Sequence, residues 1–287
     1  MGAGPANTAV VRAGGHVSRL AASRRPLWIL AVVQLAFSLV AACASAHARY
    51  VRLPGGMFVS ALAGPDENAL RVRLKPFWMR IEPVTNAEYL RFVRTHPQWQ
   101  RGRALPLFTG PDYLRAWAGP LTLGPAIVTD APVTQVSWFA ARAFCASEHA
   151  RLPTWFEWEY AAAADAKRTD ARRDRQRTDA IIAAIQASTG QRPGPVARRQ
   201  ADSYGVRDLN RLLWEWTDDY AAMFPSSDPR DPGTGPTLAL CGGAALAFRD
   251  PEQFDVILRI SVLAQIKPNS DGARIGFRCV RDRRRRP

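Results

Sequence analysis

Arg151-Leu152-Pro153-Thr154-Trp155-Phe156-Glu157-Trp158-Glu159-Tyr160-Ala161 is the stretch on which the fold turns. Thr154 with Glu157 three residues on forms a capping box. The threonine hydroxyl accepts from an orphan amide of the first turn, and the glutamate reaches back to the cap amide. A helix therefore opens at Trp155 and carries Trp158, Tyr160 and an alanine run. Just upstream, Ser137 is placed to cap a second short helix holding Trp138, Ala141, Phe144 and Cys145. A further capping box, Thr85 to Glu88, opens a helix with Tyr89, Leu90, Phe92 and Val93 on its apolar face, and His96-Pro97 ends it.

Around these helices the chain reads as short strands and long loops. Val51 to Val59 predicts a first strand with a glycine kink, and Val72 to Ile81 a second one carrying Phe77 and Trp78. Residues 97–131 are rich in Pro and Gly and predict a long loop region with short ordered pieces. Leu212 to Trp216 reads as a short buried strand. Alternation of Val256, Leu258, Ile260, Val262 and Ala264 predicts another, and Gly276 to Val280 the last. Short mixed strands with a few helices indicate α+β in a single domain, and exclude a doubly wound parallel sheet. No internal repeat and no glycine-rich phosphate loop is visible.

The chain has 287 residues, 47% hydrophobic, with a formal net charge of +14. That is too apolar for a disordered protein, and the length supports a core that needs no metal staple. Residues 1–48 contribute +4, residues 165–200 contribute +5 and residues 281–287 contribute +4, which leaves the rest of the chain at +1. A basic groove built into the folded body is therefore not expected, and neither is nucleic-acid binding. Segment 165–200 is Arg, Asp, Gln and Ala with few large apolar residues, and predicts a solvated, basic polar insertion that is helical up to about Ile185.

Leu27 to Ala42 is an apolar run after four arginines and before small residues, the layout of a signal peptide spanning 1–48. Two processing outcomes fit it. Ala46-His47-Ala48 suits cleavage before Arg49, whereas Val40-Ala41-Ala42-Cys43 resembles a lipobox in which Cys43 is the lipidation candidate. Ser23-Arg24-Arg25 also resembles a twin-arginine motif, and an uncleaved anchor is a further alternative. The expected location is the periplasm or beyond, with membrane contact only through the signal or a lipid. After cleavage two histidines remain, His96 and His149, too few for a three-histidine metal site.

In order along the chain, Leu53-Pro54-Gly55-Gly56-Met57-Phe58, Pro83 to Tyr89, Pro132 to Trp138, Ala143-Phe144-Cys145 leading into Arg151 to Ala161, Tyr204 to Leu209 before Trp214-Glu215-Trp216, Gly242-Gly243 and Gly276-Phe277-Arg278-Cys279 form a set. The set resembles the formylglycine-generating enzyme, or sulfatase-modifying-factor, domain family over about residues 50–282. It implies an irregular C-type-lectin-like α+β domain at 49–282, followed by an Arg-rich tail at 283–287. The resemblance also implies a disulfide between Cys145 and Cys279, which an oxidising compartment permits.

The chain departs from that family where its chemistry lies. The family's copper ion is held by two cysteines shortly after Gly-Gly, because soft Cu(I) needs thiolates. Counted from Gly242-Gly243, those positions are Ala247 and Glu252, with Arg249 between them agreeing with a family arginine. Copper by the usual site is therefore not expected. Cys241 is left over, either a packed thiol or a copper or redox group. Arg211-Leu212 stands where the family has Gly-Asn in a calcium-binding turn, so an oxygen ligand is lost while Glu215 remains as the metal candidate of a degenerate calcium site. Catalytic candidates are limited to Cys241, Arg249 and Glu252. In detail the chain is most similar to the branch described as nitrite reductase accessory proteins. That resemblance implies a protein partner such as a copper-containing oxidoreductase, and an accessory or maturation role in denitrification. The alternative is an oxygen-dependent metal oxidase with a rearranged site.

Overall fold

The computed structural model describes residues 50–63, 69–219, 253–264 and 266–282. β1 (Tyr50–Leu53) pairs antiparallel with β4 (Phe77–Arg80), which in turn pairs with β7 (Val280–Arg281). β2 (Gly56–Ala63) and β3 (Ala69–Leu74) form a hairpin with a register shift between Val59 and Ala63. β5 (Trp214–Glu215) runs parallel to β6 (Ile275–Gly276). The helices are α1 (Asn86–Thr95), α2 (Trp138–Ser147), α3 (Trp155–Ala162), α4 (Arg175–Ala187) and α5 (Phe254–Ala264). The expected α+β class holds, with small separate sheets where a doubly wound fold would have one large one.

The three expected caps form. Thr85 and Glu88 exchange bonds at α1, with Thr85 N donating to Glu88 Oε2 at 2.9 Å, and Thr154 N donates to Glu157 Oε2 at 2.8 Å at α3. Ser137 Oγ accepts from Ala140 N at 3.2 Å at α2. His96 closes α1 and a 3-10 turn, Pro97–Trp99, follows it. The long loop beyond is pinned by Asn86, whose Nδ2 donates to the carbonyls of Ala131, Pro132 and Val128 at 3.0–3.2 Å. A capping helix thus also satisfies carbonyls of a loop that has no ladder of its own.

Four strand expectations need correction. The kinked strand at 51–59 is two strands in different sheets, because Gly55 and Gly56 both turn at positive φ, +68° and +121°. A Cβ at Gly55 would lie 2.5 Å from Leu74 O, so only glycine fits this turn. The strand at 72–81 breaks at Lys75-Pro76, where proline removes a ladder donor. The final stretch likewise splits into β6 and β7, which belong to different sheets. The alternating run after Phe254 is a helix. Val256, Ile260 and Leu263 are its core face, and their spacing of four and three is helical, but apolar residues on the other faces hid that period.

The insertion at 165–200 is mostly exposed and helical to near Ile185, as its composition predicts, but it is also tied to the body. Helix α4 falls within it, capped by Asp174, and Ala171, Thr178 and Ile181 are buried. Arg274 Nη1 donates to Ser188 O and Gln191 O at 2.7 and 3.0 Å, tying the end of α4 to the body. Its guanidinium satisfies carbonyls at a helix C-terminus, where the macrodipole favours a cation.

One core holds the helices and sheets together. Tyr89, Phe92, Phe144 and Phe277 pack ring against ring, with centroids 5.3–6.2 Å apart, and Trp155, Trp158 and Trp216 are buried beside them. Through this core runs Arg278, fully buried. Its Nε donates to Glu215 Oε2 at 2.9 Å and its Nη2 to Glu215 Oε1 at 2.9 Å. The remaining donors reach Ile81 O, Arg80 O and Arg207 O at 3.0–3.2 Å. Next to it, Cys279 is bonded to Cys145 of α2, closing a sequence separation of 134 residues.

Two outcomes follow in unfolding experiments. Arg278→Met leaves a buried carboxylate and three carbonyls without their donor, and costs about 3–5 kcal/mol in urea denaturation; a loss under about 1 kcal/mol contradicts the role given to it. Cys145→Ala with Cys279→Ala releases a loop whose closure is worth roughly 4–5 kcal/mol in the chain-entropy estimate, read as a lower midpoint that reductant no longer shifts.

Candidate functional site

Helix α3 builds one wall of a concavity. Trp155 and Trp158 face the core, which leaves Tyr160 on a cleft of about 900 Å3 between β2, the chain 168–174 and Tyr204. Phe58 meets Tyr160 edge-on at 5.7 Å, and Tyr160 stacks on Tyr204 at 5.4 Å, so one wall is aromatic. Tyr160 Oη donates to Gly55 O at 3.0 Å, which places the glycine turn beneath the ring. Met57, 52% exposed, lies at the mouth, and Arg168, Arg173, Asp170 and Asp174 supply charge around it. Apolar rings with a charged border suit a segment of polypeptide better than a small ion.

Behind this wall sits Glu159, fully buried. It accepts from Ser60 Oγ at 2.6 Å, Ala61 N at 2.5 Å and Trp155 Nε1 at 3.1 Å, and Arg172 Nη1 lies 3.5 Å away. Burial pushes its carboxyl pKa up, and these donors and the cation pull it back. Arg172 donates to Val59 O at 2.6 Å and pairs with Asp170 at 2.7 Å. Glu159 and Arg172 thus hold β2 and the insertion against α3. Both were missed in sequence reasoning. The signal available was a glutamate on a helix turn already committed to the core by Trp155 and Trp158.

A second buried cation lies deeper. Arg259 of α5 stacks on the face of Trp158 with its guanidinium carbon 3.5 Å from the ring centroid, and Nη2 donates to Glu215 O. Burial, with Arg278 nearby, pushes its pKa down to about 9, while Glu215 opposes the shift. Its Nε has no hydrogen-bond partner among the described residues.

Cys145 and Cys279 form the disulfide. Glu215 is not a calcium ligand: both its oxygens are occupied by Arg278, and Trp158 Nε1 donates to one of them at 3.2 Å. A carboxylate neutralised by a guanidinium in a packed core has no lone pair to offer a divalent cation, so the residues present do not fit calcium there. Among the described residues no group of three His, Cys, Asp or Glu stands close enough to hold a metal ion. His96 stacks on Phe92 and bonds Thr95 within α1's end, and His149 is exposed past α2, so the two are not brought together. Cys241, Arg249 and Glu252 lie outside the described residues, as do Ala247 and Cys43.

Asp218 and Asp219 close the strand that carries Glu215. Asp219 Oδ1 accepts from Trp155 N at 2.7 Å, a second cap on α3. Burial, with Asp218 and Glu157 close by, pushes the Asp219 carboxyl up to about 6. A carboxyl whose folded pKa exceeds its unfolded value opposes folding once it ionises, so stability falls as pH rises from about 4 to about 6. Asp219→Asn keeps the acceptor and removes the charge. It is expected to flatten that fall, by up to about 3 kcal/mol, in denaturation midpoints measured across this range; an unchanged slope contradicts the assignment.

With this geometry in place, the chain can be compared with known proteins. The model of the sulfatase-modifying factor enzyme 1-like domain matches residues 37–283. A hercynine oxygenase of Mycolicibacterium smegmatis is 33% identical over 206 residues, covering 62% of this chain and 47% of its own length, so the chain spans about half of that relative. A formylglycine-generating enzyme of Streptomyces coelicolor is 28% identical over 81% of this chain and 88% of its own length. An inactive C-alpha-formylglycine-generating enzyme 2 of Mus musculus is 26% identical over 88% and 91%. Seven ordered sequence blocks, the mixed α+β architecture and a family match spanning nearly all of the described residues agree: the chain belongs to the sulfatase-modifying factor enzyme 1-like domain family, with its irregular C-type-lectin-like fold.

Proposed function

We propose that this chain is an exported accessory or maturation factor. In this reading it holds a segment of a partner protein, a copper-containing oxidoreductase, in the cleft of Tyr160 and Tyr204. The observation that carries the reading is the cysteine inventory. Of four cysteines, Cys145 and Cys279 are bonded to each other. Cys43 and Cys241 remain, and neither stands at 247 or 252, where the two thiolates of the family's copper site are expected. The aromatic cleft with its charged border supports a polypeptide occupant. One relative carries "inactive" in its name, so the domain is not tied to formylglycine formation. The resemblance to the nitrite reductase accessory branch supplies the partner class, and the apolar run at 27–42 supports export to the periplasm.

The competing reading, a metal oxidase built on Cys241 with a histidine or Glu252, draws on the names of the oxygenase and formylglycine-generating relatives. Anaerobic Cu(I) titration and calorimetry with a purified copper nitrite reductase separate the two. The accessory reading expects no stoichiometric Cu(I) and a complex that weakens about tenfold in Met57→Glu or Tyr204→Ala and is unchanged in Cys241→Ser. One Cu(I) per chain that is lost in Cys241→Ser, together with oxygen uptake, overturns it in favour of the oxidase. Absence of a complex overturns the partner assignment.

A further inference from the structure

A second cleft, of about 470 Å3, shares helix α3 with the first but none of its lining residues. Its walls are made small by Ala161, Ala162, Ala164, Ala166 and Ala201. Into it come three arginines: Arg177 from α4, and Arg199 and Arg211 from the chain on either side of the Asp208 turn. The Arg177 side chain is only 9% exposed. Its Nη2 donates to Ala162 O, while Nη1 is buried and among the described residues has no hydrogen-bond partner, only a long ion pair with Asp255 at 3.8 Å. Arg211 is half-buried, and among the described residues it makes neither a side-chain hydrogen bond nor an ion pair. Burial pushes its pKa down, and Arg199 and Arg177 add to the effect, so the three cations repel one another across the cleft.

None of the acids lining the same cleft forms an ion pair with Arg177 or Arg211. Asp165 is engaged by Arg168 and by the amides of Lys167 and Arg168. Asp202 accepts from the amides of Tyr204 and Val206. Asp208 accepts from Ala197 N at 2.6 Å, with Arg199 near enough to lower its pKa against the larger effect of burial. Beside the cleft Ala197 has a left-handed φ of 62°, a conformation that costs energy for a residue with a Cβ, whereas Asp208 and Asn210, at 60° and 70°, are of the types that adopt it readily.

We propose that this cleft is a binding site for a small oxyanion-bearing molecule, a carboxylate or a phosphate ester, clamped by Arg177, Arg199 and Arg211. Guanidinium forks match the paired oxygens of both groups, and the anion supplies a counter-charge to Arg211, which has none among the described residues, and a hydrogen-bond partner to Arg177 Nη1, whose ion pair with Asp255 is long at 3.8 Å. The volume suits a metabolite-sized ligand. The site is independent of the partner cleft, and its test does not involve the partner.

Calorimetry of the full chain with inorganic phosphate and with succinate is the experiment. At least one probe is expected to bind saturably at one per chain. Arg211→Gln should weaken it about tenfold, and Ala201→Leu, which fills the cleft without touching a charge, should abolish it. Arg94→Gln, an equal loss of charge on the exposed face of α1, should leave it unchanged. Binding of phosphate alone identifies a phosphate ester, and binding of succinate alone a carboxylate. No saturable binding of either probe overturns the proposal, as does an Arg94→Gln loss equal to that of Arg211→Gln. Thermal melts of each variant verify folding, and Ala201→Leu decides the matter should Arg211→Gln not fold.

Discussion

Arg278 is the group on which the rest of the structure depends. Its guanidinium donates to the carboxylate of Glu215 and to the carbonyls of Arg80, Ile81 and Arg207. Three chain segments distant in sequence, at 80–81, 207–215 and 278, therefore meet at one planar cation. A cation in a packed interior is tolerable only when paired and fully hydrogen-bonded, and the guanidinium fork meets that condition better than an ammonium could. The disulfide at the next residue, Cys279, ties the same point to α2. An irregular domain with strands of two to eight residues has little ladder to hold it, and this junction replaces the continuity a large sheet would provide.

The same economy explains the two clefts. Helix α3 is eight residues long, and its core face is spent on Trp155 and Trp158. Tyr160 is left to one cleft and the alanines at 161, 162 and 164 to the other. Glu159 and Arg172 seal the insertion onto β2, so a segment that reads as a polar surface excursion forms walls for both clefts. Arg172 and Arg177 of the insertion are partly buried and reach carbonyls, whereas Arg211, just beyond it, makes neither a side-chain hydrogen bond nor an ion pair among the described residues.

Much of this was legible before folding. Capping boxes at Thr85 and Thr154 and the cap at Ser137 are local chemistry, decided by residues three apart, and each formed where the residues placed it. The pairing of Cys145 with Cys279 followed from the family resemblance and is present. Strand boundaries were less legible: Gly55-Gly56 and Lys75-Pro76 were visible as interruptions, yet which sheet each piece joins depends on partners far away in the chain. The run after Phe254 is apolar on several faces, so its period carried no decision between strand and helix. Glu215 read as a metal ligand because its type permits it, and only the approach of Arg278 from 63 residues away reassigns it.

By itself the sequence determined the α+β class, the caps that start the helices, the segregation of positive charge into three segments and the absence of a two-cysteine copper pair. These rest on composition and on interactions between near neighbours. Tertiary structure alone decided which charges are buried and with whom: Glu215 with Arg278, Glu159 with Arg172, and three arginines of the insertion and its following turn left facing one another. The physical reason is that desolvation and pairing of a charge depend on what the fold brings within a few ångströms, and no sequence spacing encodes that distance.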